Sequence, residues 1–428
     1  MKTNLRRTLG LFEVTISGVG IILGAGIYAL IGEAAGLAGN AVWISFALSA
    51  LVAIFTGLSY AELASMFPRA SAEYEYTNQA FGQLPAFLIG WLIIFSGIVG
   101  AATVSLGFAG YFRALTGIPI LPCAVLLLAA LSAIILLGIN QSARIAIVLT
   151  AIEVMGLVFI ILLGIPYLGS VDLLEFSPLG YSGIFRASAL IFFAFIGFEE
   201  LVKLSEEAKN PEKNIPRGLM LAILASIVLY ILVAISSVSI LGWEELSRSS
   251  APFADIAYSA LGPDASNIMS IIALCATVNT ALLMLLASSR IIYGMAQSGA
   301  LPSLLAAVHS RTQAPWSATL ISAILAISFV FLEDISLVAN VNNFTVFVTF
   351  ISINAALIVL RIQKPHMQRP FKVPLSWGRL ALLPAAGMLF NAFMLAQLEG
   401  LVYGIGLALT CIGGMAALLS RRFALKKD

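Results

Sequence analysis

Apolar residues along this chain follow neither a helical stripe nor a strand-like alternation. They fill windows of about 20 residues that hold few charges and are apolar all round. Each window is long enough to cross the roughly 30 Å hydrocarbon core of a bilayer as a helix. About twelve occur, near 11–35, 41–66, 86–112, 121–139, 145–169, 184–205, 218–241, 266–289, 316–333, 336–361, 380–398 and 400–420. Membrane β-strands would read instead as segments of about ten residues with alternating polarity. The pattern predicts an all-α membrane protein of about 12 transmembrane helices. The longest polar stretches, 205–217, 242–265 and 362–379, are too short for an independent core, so one transmembrane domain over 1–428 is expected.

The polar positions orient the chain. An even number of spans puts both ends on one side, and both ends are basic: Lys2, Arg6 and Arg7 at one, Arg421, Arg422, Lys426 and Lys427 at the other. Both termini are therefore expected in the cytoplasm, in the cytoplasmic (plasma) membrane. Of the 23 Lys and Arg residues, all but Arg113, Arg186 and Arg248 then fall inside. The acids Asp172, Glu175, Glu244, Glu245, Glu333 and Asp334 concentrate in the outer loops. The first apolar stretch continues without a small-residue cleavage site and is expected to be the first span, not a removed signal peptide.

Composition excludes other classes. Hydrophobic residues make up 60% and charged residues 10%, against about 25% charged in a typical soluble domain. A net charge of +2 gives no nucleic-acid signal. Cys123, Cys275 and Cys411 fall within spans, with neither a disulfide framework nor zinc-site spacing. No Walker-type glycine-rich loop is present, which argues against ATP-driven pumping. His309 and His366 lie in inner loops without a nucleophile or metal partner in sequence. No cofactor, no metal and no enzymatic activity are expected.

Glycine inside a span signals a broken backbone, which a bilayer tolerates only where a cavity lies. The first span reads SGVGIILGAGIYALIG, with Gly18, Gly20, Gly24 and Gly26 at its middle; the sixth reads ALIFFAFIGFEELVKL, with Gly197 beside Glu199 and Glu200. By helix rise, both breaks fall roughly 20 Å from a helix end, in the bilayer's middle third. They sit an odd number of spans apart, so two five-helix repeats that each open on a broken helix, about 11–169 and 184–361, must be inverted. The plainer reading is that the first-span glycines only permit close helix packing.

Four segments resemble the amino acid–polyamine–organocation transporters over essentially the whole chain: GVGIILGAGIY, PRASAEYEYTNQAFG at 68–82, EEAKNPEKNIPRG at 206–218 and ASSRIIYGMAQSGALP at 287–302. Ser71 and Ala72 stand where members often have two glycines. The resemblance implies ten core helices in two inverted repeats with broken helices 1 and 6, peripheral helices at about 380–420, and a substrate site between helices 1, 3, 6 and 8. Amino acids and related amines are the family's substrates.

An amino acid offers a carboxylate and an ammonium. Where helix 1 breaks, the N–H groups of Gly24, Ala25 and Gly26 can face the carboxylate at a half-helix N-terminus. Freed carbonyls around Ile21 and Ile22, and around Phe193, Ala194 and Ile196 before the break at Gly197, can accept from the ammonium. The remaining lining is expected to be apolar: Ile98 and Ala101, Phe193 and Phe195, Leu282 and Leu286.

Ionisable groups within spans are costly and stand out as candidates for coupling. Glu153 is the deepest, in IVLTAIEVMGLVF, at a position where proton-coupled members resembling this chain often have a lysine. Burial disfavours its charged form, so it is expected to hold a proton in one access state. The alternative is a sodium ion held with Ser288 or Ser289, which come late in helix 8. Glu199 follows the helix 6 break, as a coupling group or as an N-terminal helix acid. Glu200 with Lys203, and Tyr74, Tyr76, Lys209, Lys213 and Arg217, read as a solvated inner face.

These features predict a secondary transporter of neutral L-amino acids working by alternating access and coupled to a proton. The alternatives are an exchanger or importer of polyamines or cationic amino acids, and a membrane sensor that binds without transporting.

Overall fold

The computed structural model describes residues 9–68, 72–137, 143–310, 312, 314–378 and 380–424. The basic residues Lys2, Arg6, Arg7, Lys426 and Lys427, and Ser71, lie outside them.

Every expected window holds helix. The first contains α1 (Leu11–Ile22) and α2 (Gly26–Ala38), and α3 (Val42–Met66) follows. A short helix, α4 (Ala72–Phe81), precedes α5 (Gln83–Thr116), α6 (Ile120–Leu136) and α7 (Ala143–Gly164). The sixth window opens with α8 (Gly180–Ile191) and continues as two 3-10 segments, Phe192–Phe195 and Phe198–Glu206. Next come α9 (Pro211–Leu241), α10 (Trp243–Arg248), α11 (Pro252–Leu261), α12 (Pro263–Gln297) and α13 (Trp316–Val330). The chain ends with α14 (Ile335–Gln363), α15 (Leu382–Ala396) and α16 (Gly400–Ala424). The only strands among the described residues form a two-stranded antiparallel ribbon, Ser376–Trp377 with Leu380–Ala381. Among the described residues, seven helical stretches are long and apolar enough to cross a membrane, and four shorter apolar helices accompany them.

Packing divides the helices into an inner set and a periphery. α5 lies along α12 and α14, α3 lies along α9, and α1 packs on α9. α15 and α16 lie on the outside, against α3, α5, α8 and α14. On α9 the exposed residues Leu221, Leu224, Val228 and Leu232 recur at helical spacing and form a lipid-facing stripe. Small residues bring the inner backbones together: a Cβ at Gly57 of α3 would strike Ile223 of α9, and one at Gly107 of α5 would strike Ala29 of α2.

One end of the bundle is tied by polar contacts. Leu9 exchanges backbone hydrogen bonds with the segment after the sixth window, donating to Glu207 and accepting from Lys209 at 3.1 and 2.8 Å. Glu62 at the end of α3 is fully buried and forms an ion pair with Arg361 of α14, with Arg369 at 3.2 Å and the Val373 N–H at 2.7 Å. Two guanidinium groups and an N–H compensate the buried carboxylate and pin the loop between α14 and α15.

Candidate functional site

The helix breaks lie against each other. α1 stops at Ile22, Leu23 leaves helical geometry with ψ 48°, and helix resumes at Gly26. In the sixth window Ile196 is extended and Gly197 has φ 125°, a conformation that favours glycine. A Cβ at Gly26 would stand 2.6 Å from the Cα of Ala194, and one at Gly197 would stand 2.9 Å from the Ile21 carbonyl oxygen. Both glycines are thus required by a backbone-to-backbone approach across the two breaks. Ile22, Ala25, Gly26, Phe193, Ala194, Phe195 and Gly197 are buried; Ile21, Gly24 and Ile196 are half-buried.

The freed backbone groups are partly occupied. The Gly24 N–H donates to the Ile22 carbonyl at 2.8 Å, and the Ala25 N–H donates to Thr280 Oγ1 of α12 at 3.1 Å. Gly26 opens α2, where first-turn N–H groups have no intrahelical acceptor. The Tyr230 hydroxyl of α9 lies 2.7 Å from the Ile22 carbonyl and 2.8 Å from the Ala194 carbonyl, joining both breaks. Neither Thr280 nor Tyr230 was among the expected site residues. The available signal was a hydroxyl inside an apolar window, which must find a partner there.

Aromatic rings enclose the sixth-window break. Phe195 meets Tyr230 edge-on at 5.1 Å, Phe192 lies 5.0 Å from Phe347, and Phe198 lies 5.2 Å from Phe350. Ile98 and Ala101 are fully buried on α5. On α14 three asparagines, Asn342, Asn343 and Asn354, are fully buried. The Asn343 amide donates to the Ala189 and Leu190 carbonyls at 2.7 and 3.0 Å, just before the helix changes form.

Glu153 stands next to the first break. Its own carbonyl accepts from the Tyr28 hydroxyl at 2.6 Å, and Tyr28, Tyr230 and Cys275 are its electrostatic neighbours. The side chain is 1% exposed, and its Oε1 has no hydrogen-bond partner among the described residues. Ser288 lies about 20 Å further along α12 than Cys275. Its hydroxyl donates to Met284 and Ile94 carbonyls at 2.9 and 3.2 Å, while Ser289 donates to Leu286 at 2.9 Å. The structure therefore does not bring Ser288 or Ser289 to Glu153. Glu199 caps the second 3-10 segment, accepting from the Gly197 N–H at 2.9 Å.

Two cavities lie in the bundle away from the break residues. One of about 400 Å³ reaches from Glu33, Glu333 and Asp334 to Ala29, one turn beyond Gly26. The other, about 990 Å³, is bordered by Glu73, Tyr74 and Lys203 and by Ile291 and Met295 of α12. Glu73 is buried in α4, with the Tyr60 hydroxyl donating to it at 3.5 Å. Burial pushes its carboxyl up from the ordinary range, against the pull of the Lys203 ammonium. Lys203 is paired with Glu200. Among the described residues no group of three His, Cys, Asp or Glu could hold a metal ion.

Comparison with known proteins adds the family. The family model described as amino acid permease matches residues 9–417. The branched-chain amino acid permease of Bacillus subtilis is 31% identical over 420 residues, covering 92% of this chain and 89% of that protein. The methylthioribose transporter of Bacillus subtilis is 31% identical, covering 87% and 85%. Human cationic amino acid transporter 4 is 32% identical, covering 85% of this chain and 61% of that longer protein.

Proposed function

Because the chain belongs to the amino acid permease family, we propose that it is a secondary transporter that carries a neutral L-amino acid across the plasma membrane by alternating access. The observation that carries this reading is the apposition of the two breaks, Gly26 on Ala194 and Gly197 on Ile21. That contact sets a half-helix N-terminus against carbonyls released from helix, complementary to a carboxylate and an ammonium. The aromatic and aliphatic groups around it favour an uncharged side chain, because an unpaired charge there is heavily penalised. Two inverted repeats, about 11–169 and 184–361, would rock around this contact, with the Glu73–Lys203 face cytoplasmic. Glu153 would carry the coupling proton, its burial without a counter-ion among the described residues opposing a permanent charge.

A cationic substrate is the second reading. The acidic border of the smaller cavity, Glu33, Glu333 and Asp334, favours it. Uptake into proteoliposomes decides: alanine, leucine or phenylalanine displacing substrate better than arginine supports the neutral reading, and the reverse order supports the cationic one. Ligand binding without saturable accumulation would leave a sensor instead of a carrier. Binding also raises the melting temperature, so a screen of the twenty amino acids and common polyamines locates the substrate.

A further inference from the structure

Asn342 of α14 has no exposed surface, and neither its Oδ1 nor its Nδ2 has a hydrogen-bond partner among the described residues. An amide can use four hydrogen-bonding positions, and leaving buried ones unmade carries their full desolvation penalty. The adjacent Asn343 shows what a structural asparagine does here, since its amide holds two carbonyls of the sixth-window helix. Asn342 is turned toward α5. A Cβ at Gly100 would lie 3.6 Å from its Nδ2 and 2.8 Å from Met284 Sδ.

The level of this amide in the bundle is that of the breaks. Gly107 of α5 faces both Ala29 and Ile335, so one or two turns toward Gly100 lead along α2 to Ala25 and along α14 to Asn342. Ala101, next to Gly100, lies in the expected lining. Gly100 contributes no side chain in front of the amide, and Met284 is an unbranched thioether that can move aside. Gly100, the Met284 thioether and the Asn342 amide therefore meet at the level of the breaks, with the amide the polar group among them.

We infer that Asn342, Gly100 and Met284 form the side-chain subsite, and that Asn342 selects a small neutral polar side chain bearing a hydroxyl or an amide. This rests on the amino acid reading above and refines it: the amide gives and accepts hydrogen bonds with an uncharged partner. A site built to bond a polar group rejects the analogue lacking it far more strongly than an apolar pocket rejects an added hydroxyl.

The test is competition in proteoliposomes and ligand-induced thermal stabilisation with L-serine, L-threonine, L-asparagine and L-valine. Wild-type protein should bind threonine at least about tenfold more tightly than its near-isostere valine. Asn342→Leu, similar in volume, should abolish that preference by weakening threonine while keeping or improving valine. Asn342→Ala should do the same, and stands in if the leucine variant does not fold. Wild-type protein that prefers valine overturns the inference, as does a threonine-to-valine ratio that both variants leave unchanged. Wild-type protein that binds amino acids through an Asn342-independent ranking leaves the transport reading intact, whereas one that binds no amino acid overturns both.

Discussion

At the centre of the molecule the Tyr230 hydroxyl lies 2.7 Å from the Ile22 carbonyl oxygen. The same hydroxyl is 2.8 Å from the carbonyl of Ala194, so one side chain on α9 ties together the two places where helix stops. Tyr230→Phe keeps the ring and its edge contact with Phe195 but removes the donor. A net loss of about 1–2 kcal/mol is expected, seen as a lower melting temperature and roughly tenfold weaker substrate affinity. Unchanged affinity in Tyr230→Phe would mean that the breaks hold their geometry without the bridge.

Gly26 and Gly24 differ in what surrounds them. Beside Gly26 is the backbone of Ala194, which cannot step aside, whereas Gly24 faces the Thr280 side chain at 3.2 Å. Gly26→Leu is therefore expected to abolish binding by separating the breaks, and even Gly26→Ala should lower stability. Gly24→Ala should fold near normally, while Gly24→Leu should lose binding. Circular dichroism with ligand-induced thermal shifts separates folding from binding; wild-type affinity in Gly26→Leu would refute the helix 1 site.

The spans and both breaks were legible from the chain because each depends on local composition: apolar windows for the first, glycine beside freed backbone for the second. Cross-chain partners were not legible in the same way. Thr280 holds Ala25, and Tyr230 holds Ile22 and Ala194, yet each pair is far apart in sequence and no periodicity links them. Ser288 and Ser289 illustrate the converse. Their place late in the eighth span suggests a cation site, but a helical serine can bond backbone carbonyls: Ser288 bonds one of its own helix and one of α5, and Ser289 one of its own helix. Asn342 stands beside Gly100, next to the Ala101 expected in the lining, and its burial without a side-chain partner among the described residues is not something sequence alone reveals.

The Thr280 hydroxyl occupies a backbone donor that a substrate carboxylate would use. Other threonines of the bundle, such as Thr277 and Thr349, donate to carbonyls four residues earlier, but Thr280 accepts from Ala25. Thr280→Val preserves shape and leaves that N–H without an acceptor in the empty protein. Binding then restores a bond instead of exchanging one, so affinity should rise about fivefold. Weaker binding in this variant would make the hydroxyl a substrate contact.

Glu73 gives a pH dependence with a definite sign. Its carboxyl is raised in the folded protein, mainly by burial. Its contribution to stability is complete below the ordinary carboxylate range and is lost as pH rises through the raised value. Glu73→Gln is neutral at every pH. It should melt about 2 °C above wild type near pH 8 or higher, with the gap closing toward about pH 4. A gap that widens on acidification would show that the carboxylate is instead stabilised by Lys203.

Glu153 is the last group to place, and its surroundings decide between two couplings. Sodium coordination needs several oxygen ligands around the ion, yet Ser288 and Ser289 lie far along α12 and spend their hydroxyls on backbone carbonyls. A proton needs only a carboxyl whose environment changes between access states. Glu153 has that character, with an Oε1 unpartnered among the described residues and 1% exposure beside the first break. Tyr28 ties the backbone of Glu153 to α2, so movement of the half-helix would reach the carboxyl directly. Glu153→Gln imitates the protonated state permanently. It should fold, bind substrate and exchange it at near wild-type rates, while losing accumulation driven by an imposed proton gradient. Counterflow and uphill uptake in the same proteoliposomes measure the two separately. If uphill uptake in Glu153→Gln still follows the proton gradient as in wild type, the proton resides elsewhere and Glu153 is a neutral structural acid.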